Sequence, residues 1–155
     1  MSDCYTAALR ILNYRFNSEA ELRRKLARKK FESAEIDEAI ARLRDEKWLD
    51  DERFAGAFVR ARTSKRIGPS RIRRELSAAG VDRETAARAL TANADDERTR
   101  EHLVALFEKR KRMLARRKGD DYPATREGRA KIASYLIGLG YDAALVHEVV
   151  RHEDD

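Results

Sequence analysis

The side chains in this sequence best suited to a binding role are its Lys and Arg residues, which occur in clusters. Six of them lie between Arg23 and Lys30, and the run Lys109 to Arg112 is followed by Arg116, Arg117 and Lys118. Clustered cations of this kind bind phosphate groups or acidic protein surfaces. The 155 residues include 34 basic and 28 acidic ones, and the resulting net charge of +6 favours a polyanionic partner.

Neighbouring aspartates are a second candidate, because paired carboxylates can bind Mg²⁺. The pairs are Asp50-Asp51, Asp95-Asp96 and Asp120-Asp121. Each pair stands where a helix is predicted to begin, and a carboxylate there caps backbone amides and interacts favourably with the helix dipole. Helix capping is therefore preferred over metal binding.

Other signatures of catalysis and metal binding are missing from the sequence. It contains no glycine-rich phosphate loop or nucleophile elbow, and Cys4 with three scattered histidines does not have zinc spacing. We expect no catalytic residue, cofactor or metal. No apolar run approaches the ~20 residues of a membrane span, and no signal peptide follows Met1. We therefore expect a reduced, soluble, cytoplasmic protein without membrane association.

A repeated apolar spacing predicts the helices that carry these charges. A triplet of apolar residues with the same spacing occurs three times, shifted by 50 and then by 60 residues. The triplets are Leu22, Leu26, Phe31; Ile72, Leu76, Val81; and Ile132, Leu136, Tyr141. Gly80 and Gly140 follow the second and third of these helices, and a glycine there supplies a left-handed C-cap. Lys30 takes the equivalent place in the first, so that turn is expected to be strained or differently built.

These repeats predict an all-α fold of nine helices in three tandem three-helix repeats, residues 1–48, 49–94 and 95–155. Only two prolines and seven glycines occur, which suits a helical protein. Short repeats of this type are stable only when they stack, so an elongated, curved array is expected.

Helix-start signals support this division. Ser18 and Glu21 form a capping box, Asp50 is a natural N-cap, and Gly68-Pro69 begins a helix with proline in its first turn. Asp82 and Asp142 are expected to cap the last helices of the second and third repeats.

A basic stripe shared by the three repeats is the candidate contact surface. Solvated faces of ordinary charged helices are the alternative explanation. With Ile72 and Leu76 facing inward, Arg74 points outward and Arg71 flanks it. The candidate partner-contact or DNA-contact residues are Arg24, Arg28, Arg60, Lys65, Arg66, Arg71, Arg74, Lys109, Arg112 and Arg116.

Arg62 is predicted to be structural, unlike the candidates of the stripe. It shares a helix face with Phe54, Ala55 and Phe58, so its guanidinium is expected to be partly buried and paired with Asp50 or Asp51. The last helices of the repeats lack the Arg, Asn and Gln cluster that base readout requires, so sequence-specific duplex binding is not expected.

The middle of the chain closely resembles the central motif of the bacterial RecX family, regulators of the RecA recombinase. The resemblance lies in Trp48-Leu49-Asp50-Asp51-Glu52-Arg53-Phe54-Ala55, Arg62, Gly68-Pro69, Ile72, Glu75-Leu76 and Gly80-Val81-Asp82. It extends over essentially the whole chain, through Ala8-Leu9 and Ser18-Glu21-Leu22 at the front and Lys131, Tyr135-Leu136 and Gly138-Leu139-Gly140-Tyr141 at the back. It departs at Lys30, where the family commonly has glycine.

The resemblance implies three three-helix repeats and a non-enzymatic function in homologous recombination, DNA repair and the SOS response. A protein of this kind binds the RecA filament on single-stranded DNA and inhibits its ATPase, strand exchange and coprotease activities. Contacts with single-stranded DNA, weaker contacts with duplex DNA and a monomeric state are expected. The alternative is a general nucleic-acid-binding protein, without sequence preference and without a protein partner.

Overall fold

The computed structural model describes residues 3–153. They form helices joined by short connections and include no strand. Their nine α-helices are α1 Cys4–Tyr14, α2 Glu19–Arg28, α3 Ser33–Asp45, α4 Asp51–Ser64, α5 Pro69–Ala78, α6 Arg83–Ala92, α7 Asp96–Lys118, α8 Arg126–Gly138 and α9 Ala143–His152. A single 3₁₀ turn, Tyr122–Ala124, lies in the loop before α8. The all-α fold of three-helix repeats is therefore confirmed.

The predicted caps begin the helices. The Ser18 hydroxyl accepts the Glu21 amide at 3.1 Å, and the Glu21 carboxylate accepts the Ser18 amide at 3.1 Å, which completes the capping box of α2. Asp82 accepts the Thr85 amide at 2.9 Å at the start of α6. Asp142 does the same for Leu145 at 3.1 Å at the start of α9. These bonds satisfy amides that have no partner inside their own helix.

One type of turn ends the second helix of every repeat. After α5, the Val81 amide donates to the Leu76 carbonyl at 3.0 Å, and Gly80 between them has a φ of 80°. The equivalent bonds are Phe31 to Leu26 at 3.4 Å and Tyr141 to Leu136 at 3.5 Å. This is the hydrogen-bond pattern of a Schellman cap, in which an apolar residue folds back over the helix end.

Lys30 adopts the same left-handed conformation as its glycine counterparts. Its φ is 70°, against 80° at Gly80 and 101° at Gly140. Of the two expectations for this turn, strain is the one that applies, because a Cβ in this conformation costs about 1–2 kcal/mol. The turn is built in the same way as the other two.

The fold forms two compact units. The first runs to Arg60 and includes Arg73–Asn93, whereas the second comprises Ala61–Ile72 and the chain from Ala94 onward. The second repeat therefore contributes to both units. The repeat boundaries after residues 48 and 94 stay a prediction.

Each unit has its own apolar core. In the first, α1, α2 and α3 enclose Leu22, Leu26, Ile40 and Leu43, all fully buried. In the second, α7, α8 and α9 enclose a core whose fully buried members are Leu103, Phe107, Ile132, Leu136, Val146 and Val149. Burial of each large aliphatic side chain contributes about 1.5–3 kcal/mol, so these cores hold the helices in place.

In the first unit, the end of α5 packs against the start of α2. A methyl group added at Gly80 would lie 2.2 Å from the Ala20 Cβ, so only glycine allows this approach. The Ser18 hydroxyl donates to the Ala79 carbonyl, and Arg24 Nη2 donates to the Ala78 carbonyl at 3.0 Å. We call this contact the first joint, because it connects the second repeat to the first.

A corresponding contact lies in the second unit, where the turn after α8 packs against the start of α5. The Gly68 amide donates to the Leu139 carbonyl at 2.8 Å, and the Ser70 amide donates to the Gly140 carbonyl at 3.0 Å. A Cβ on Gly68 would lie 2.3 Å from the Gly140 carbonyl carbon. This second joint therefore connects the third repeat to the second through the same parts of each repeat.

The joints predict a graded effect of glycine-to-alanine substitutions. Gly119→Ala introduces a Cβ at a φ of 106° and a ψ of 152° with nothing within 4 Å, so it should cost only backbone strain, about 1–3 kcal/mol in this region. Gly80→Ala combines the strain of a left-handed residue, about 1–2 kcal/mol, with a steric clash against Ala20, and overpacking costs about 1–3 kcal/mol more. Gly68→Ala should destabilise through the clash alone. Chemical denaturation measures all three, and unchanged stability of Gly68→Ala would disprove the second joint.

Lys30→Gly should stabilise the protein. Removing the Cβ relieves about 1–2 kcal/mol of strain, and the greater freedom of glycine in the unfolded chain offsets about 0.4–1 kcal/mol of it. A net gain of up to about 1.6 kcal/mol is expected in the free energy of unfolding. Lys30→Ala is the control, because it removes the charge but keeps the Cβ and should give no such gain. If Lys30→Gly destabilises the protein, the strained left-handed conformation assigned to Lys30 is wrong.

Candidate functional site

The predicted contact residues lie at the protein surface. Nine of the ten are exposed, and only Arg71 is half-buried. Exposure alone does not distinguish a binding cation from an ordinary surface charge. The neighbours of each cation make that distinction, because a carboxylate at hydrogen-bond distance cancels its charge locally.

Several arginines outside the predicted set are neutralised in this way. Arg23 Nη1 lies 2.6 Å from an Asp37 carboxylate oxygen, and Arg88 Nη2 lies 2.8 Å from Glu52. Arg44 with Glu19, Arg42 with Glu46 and Arg100 with Glu148 form further pairs. Exposed pairs contribute little stability, about 0–1 kcal/mol. Their consequence is that these surfaces present little net positive charge.

Seven predicted residues carry uncompensated charge. Within residues 3–153, no carboxylate lies at ion-pair distance from Arg28, Lys65, Arg66, Arg74, Lys109, Arg112 or Arg116. Arg60 and Arg71 are engaged in contacts within the protein. We call the seven residues the free cations.

Arg24 has a structural contact that the sequence does not reveal. Its guanidinium donates to the Ala78 carbonyl at 3.0 Å in the first joint and to the Ala20 carbonyl at 3.3 Å. Its side chain is still exposed, so contact with a partner stays a prediction. A helical wheel cannot show this contact, because Ala78 is 54 residues away along the chain.

The densest group of free cations lies on the second half of α7. Glu108 is the only acidic residue between positions 108 and 118, a segment with seven Lys or Arg. Lys109, Arg112 and Arg116 follow the i, i+3, i+7 spacing that places side chains on one helix face, and all three are exposed. Arg110 instead stacks over the Tyr135 ring, with 4.4 Å between the guanidinium carbon and the ring centroid.

Basic residues also occupy the strained ends of helices. The three non-glycine residues with positive φ in the described chain are Lys30 at 70°, Lys47 at 63° and Arg66 at 59°. Each follows the C-terminus of a helix, where a positive charge interacts favourably with the helix dipole. Arg66 and its neighbour Lys65 are exposed in this position at the end of α4. Sequence reasoning identified Arg66 by its charge alone.

The residues of the central motif are part of the scaffold. Asp50 accepts the amides of Glu52 at 3.0 Å and Arg53 at 3.2 Å, as predicted for the N-cap of α4. Asp51 accepts the Glu19 amide at 2.9 Å, which ties α4 to the start of α2. Burial raises the pKa of the Asp51 carboxyl above its usual range.

Phe54 and Leu76 are buried, and Arg62 is half-buried as expected. The pairing of Arg62 with Asp50 or Asp51 stays a prediction.

The remaining aspartate pairs also lie at helix starts. Asp95 accepts the Arg98 amide at 2.9 Å as the N-cap of α7, and Asp121 precedes the 3₁₀ turn. Among residues 3–153, no three His, Cys, Asp or Glu side chains are grouped as a metal site would require. In the same range, no helix combines the length and apolar character needed to cross a bilayer.

Three-helix repeats connected by close backbone contacts, with free cations on their surface, define a helical-repeat protein. Two family models match the chain: RecX, first three-helix domain, over residues 4–43, and RecX, second three-helix domain, over residues 50–90. The chain belongs to the RecX family of regulatory proteins.

Relatives and a solved structure agree with this assignment. Regulatory protein RecX of Serratia proteamaculans is 33% identical over 97% of this chain and 98% of its own length. Regulatory protein RecX of Xanthomonas axonopodis pv. citri is 34% identical over 94% of this chain and 85% of its own. The crystal structure of RecX from Lactobacillus salivarius superposes with a TM-score of 0.82 at 29% identity, over 97% of this chain and 94% of that one.

Neutralising the α7 face tests the distinction between free and paired cations. Lys109→Gln with Arg112→Gln and Arg116→Gln should weaken binding to single-stranded DNA. On single strands, each phosphate contact contributes about −0.7 to the slope of the logarithm of the binding constant against the logarithm of the salt concentration. The loss of three contacts should therefore reduce the magnitude of this slope by about 2. The helical spectrum should not change, because surface substitutions usually cost within about 0.5 kcal/mol.

The matched control is Arg44→Gln with Arg88→Gln and Arg100→Gln, which removes the same charge from paired positions. It should leave the salt slope nearly unchanged. If both triple variants lose equal affinity, net charge rather than the α7 face governs binding.

Proposed function

We propose that this protein binds the RecA filament formed on single-stranded DNA and inhibits its ATPase, strand exchange and coprotease activities. Membership of a family of regulatory proteins supports a regulatory role. The observation that carries the proposal is the set of free cations, above all Lys109, Arg112 and Arg116 on one exposed helix face. A filament on DNA is a polyanion to which such a face is electrostatically complementary.

The scaffold suits this task because it holds the cations on packed helices. Phosphate contacts are independent of base sequence, as required of a regulator that acts wherever a filament forms. A protein that binds one state of the filament more tightly than another shifts the filament towards that state. Inhibition follows if the favoured state hydrolyses ATP slowly, without any catalytic group on the regulator.

The setting of this activity is homologous recombination, DNA repair and the SOS response in the cytoplasm, with the protein acting as a monomer. Duplex DNA should bind more weakly than single strands. These features follow from the proposed partner.

General nucleic-acid binding without a protein partner is the second candidate, and the free cations favour it equally. Affinity capture from cell extract, with and without nuclease treatment, separates the two. Retention of RecA after digestion supports the filament regulator. Loss of every captured protein supports binding to nucleic acid alone.

The proposal predicts that substoichiometric protein lowers the DNA-dependent ATP hydrolysis of the cognate RecA. The protein alone should hydrolyse no ATP. The triple variant of Lys109, Arg112 and Arg116 should need a higher concentration for the same inhibition, whereas the triple variant of Arg44, Arg88 and Arg100 should behave like the wild type. Unchanged ATP hydrolysis at equimolar protein contradicts the proposal.

A further inference from the structure

Two aromatic rings stand exposed beside a groove in the first unit. Trp48 in the α3–α4 connection is 57% exposed, and Phe16 after α1 is 58% exposed. The groove has a volume of about 680 Å³, and its lining includes both rings together with Leu9 and Leu12 of α1. We call it the aromatic groove.

The backbone that carries these rings is held by specific contacts. Next to Phe16, the buried Asn17 side chain donates to the Arg15 carbonyl at 2.8 Å and accepts a hydrogen bond from the Lys25 amine. The Trp48 amide donates to the Leu43 carbonyl at 2.9 Å. The two large apolar side chains are therefore displayed on braced backbone, and such exposed apolar surface marks an interaction site.

The rim of the groove is positively charged. The Arg53 guanidinium carbon lies 5.7 Å from the Phe16 ring centroid, and Arg53 Nη2 donates to the Lys47 carbonyl at 3.1 Å. No carboxylate in residues 3–153 lies at ion-pair distance from Lys47 or Arg53. The Glu46 carboxylate at this rim accepts hydrogen bonds from Tyr5 and Arg42, so its charge is already compensated.

We infer that the aromatic groove binds unpaired bases of single-stranded nucleic acid. Bases stack on the exposed faces of Trp48 and Phe16, while Lys47 and Arg53 meet the adjoining phosphates. This combination of aromatic faces and cations is the one by which proteins hold single strands without reading their sequence. In duplex DNA the bases are paired and stacked inside the helix, where the rings cannot reach their faces, so the groove selects single strands.

The positively charged rim of the groove would also suit an apolar segment of an acidic protein, which is the alternative ligand. The rings favour bases, because each is more than half exposed and offers a flat face rather than a deep pocket. The inference rests on the single-stranded DNA binding of the proposed function. It adds a contact with bases to the phosphate contacts of the free cations.

Fluorescence of Trp48 gives a direct test, since Trp48 is the only tryptophan in the chain. Oligothymidylate should quench its emission on binding. An abasic oligonucleotide of the same length keeps the phosphates but has no bases, so it should bind through the free cations and leave the emission unchanged. Fluorescence anisotropy of end-labelled oligonucleotides measures total binding independently.

Substitutions at the rings provide the second measurement. Phe16→Ala and Trp48→Ala should each lower the affinity for oligothymidylate by about 5- to 150-fold, the equivalent of about 1–3 kcal/mol for one stacked base. Neither should change the affinity for the abasic strand. Tyr14→Ala is the matched control, because Tyr14 is 92% exposed, lies two positions from Phe16 and does not line the groove.

The outcomes separate the inference from the proposed function. Binding of oligothymidylate without quenching of Trp48 overturns the inference and leaves the proposed function standing. Weaker RecA binding by Trp48→Ala with unchanged oligothymidylate affinity also overturns it, because the groove is then a protein contact. Absence of any binding to single strands overturns the inference, whereas the effect on RecA ATP hydrolysis decides the proposed function separately. If a ring variant fails to fold, the quenching of the wild-type protein decides alone.

Discussion

At the two joints, the turn that ends one repeat's second helix packs directly against the start of the equivalent helix in the preceding repeat. Gly80 against Ala20 and Gly140 against Gly68 leave no room for a further Cβ. The hydrogen bonds of the second joint run from backbone to backbone, and those of the first run from side chains to carbonyls. Each joint therefore depends on a close approach of backbone that a further side chain would prevent, and the first joint depends in addition on the Ser18 and Arg24 side chains.

This constraint explains why Lys30 is tolerated in the first repeat. Its turn has the same hydrogen bonds and the same left-handed conformation as the turns at the joints, but its side chain is exposed. A side chain costs only backbone strain there, whereas at Gly80 it would also clash. Lys47 and Arg66 accept the same strain at the ends of α3 and α4. All three put positive charge at a helix C-terminus, where the dipole partly offsets the cost.

The charged residues divide into two groups with different consequences. Arg23, Arg44 and Arg88 are matched by carboxylates on other helices and leave little field outside the protein. The free cations keep their field, and three of them share one face of α7. A high net charge would not produce this division by itself, because it depends on where the acidic residues lie in space.

The helices, their caps and the repeat could be predicted from local sequence patterns. Ser18 with Glu21, and Asp82 with Thr85, act across three positions, so the chemistry of one helical turn suffices to predict them. The motif around Trp48 to Ala55 was enough to indicate the family.

The contacts between residues of different repeats could not be predicted from local sequence patterns. The Asp51 carboxylate accepts a hydrogen bond from the amide of Glu19, which is 32 residues away along the chain. The Arg88 guanidinium pairs with Glu52, which is 36 residues away. The sequence contains no periodic signal for the close approach of Gly68 to Gly140, or for the position of Phe16 and Trp48 at one groove. Their proximity results from how whole helices pack, and that packing is set by the summed burial of many side chains rather than by any local pattern.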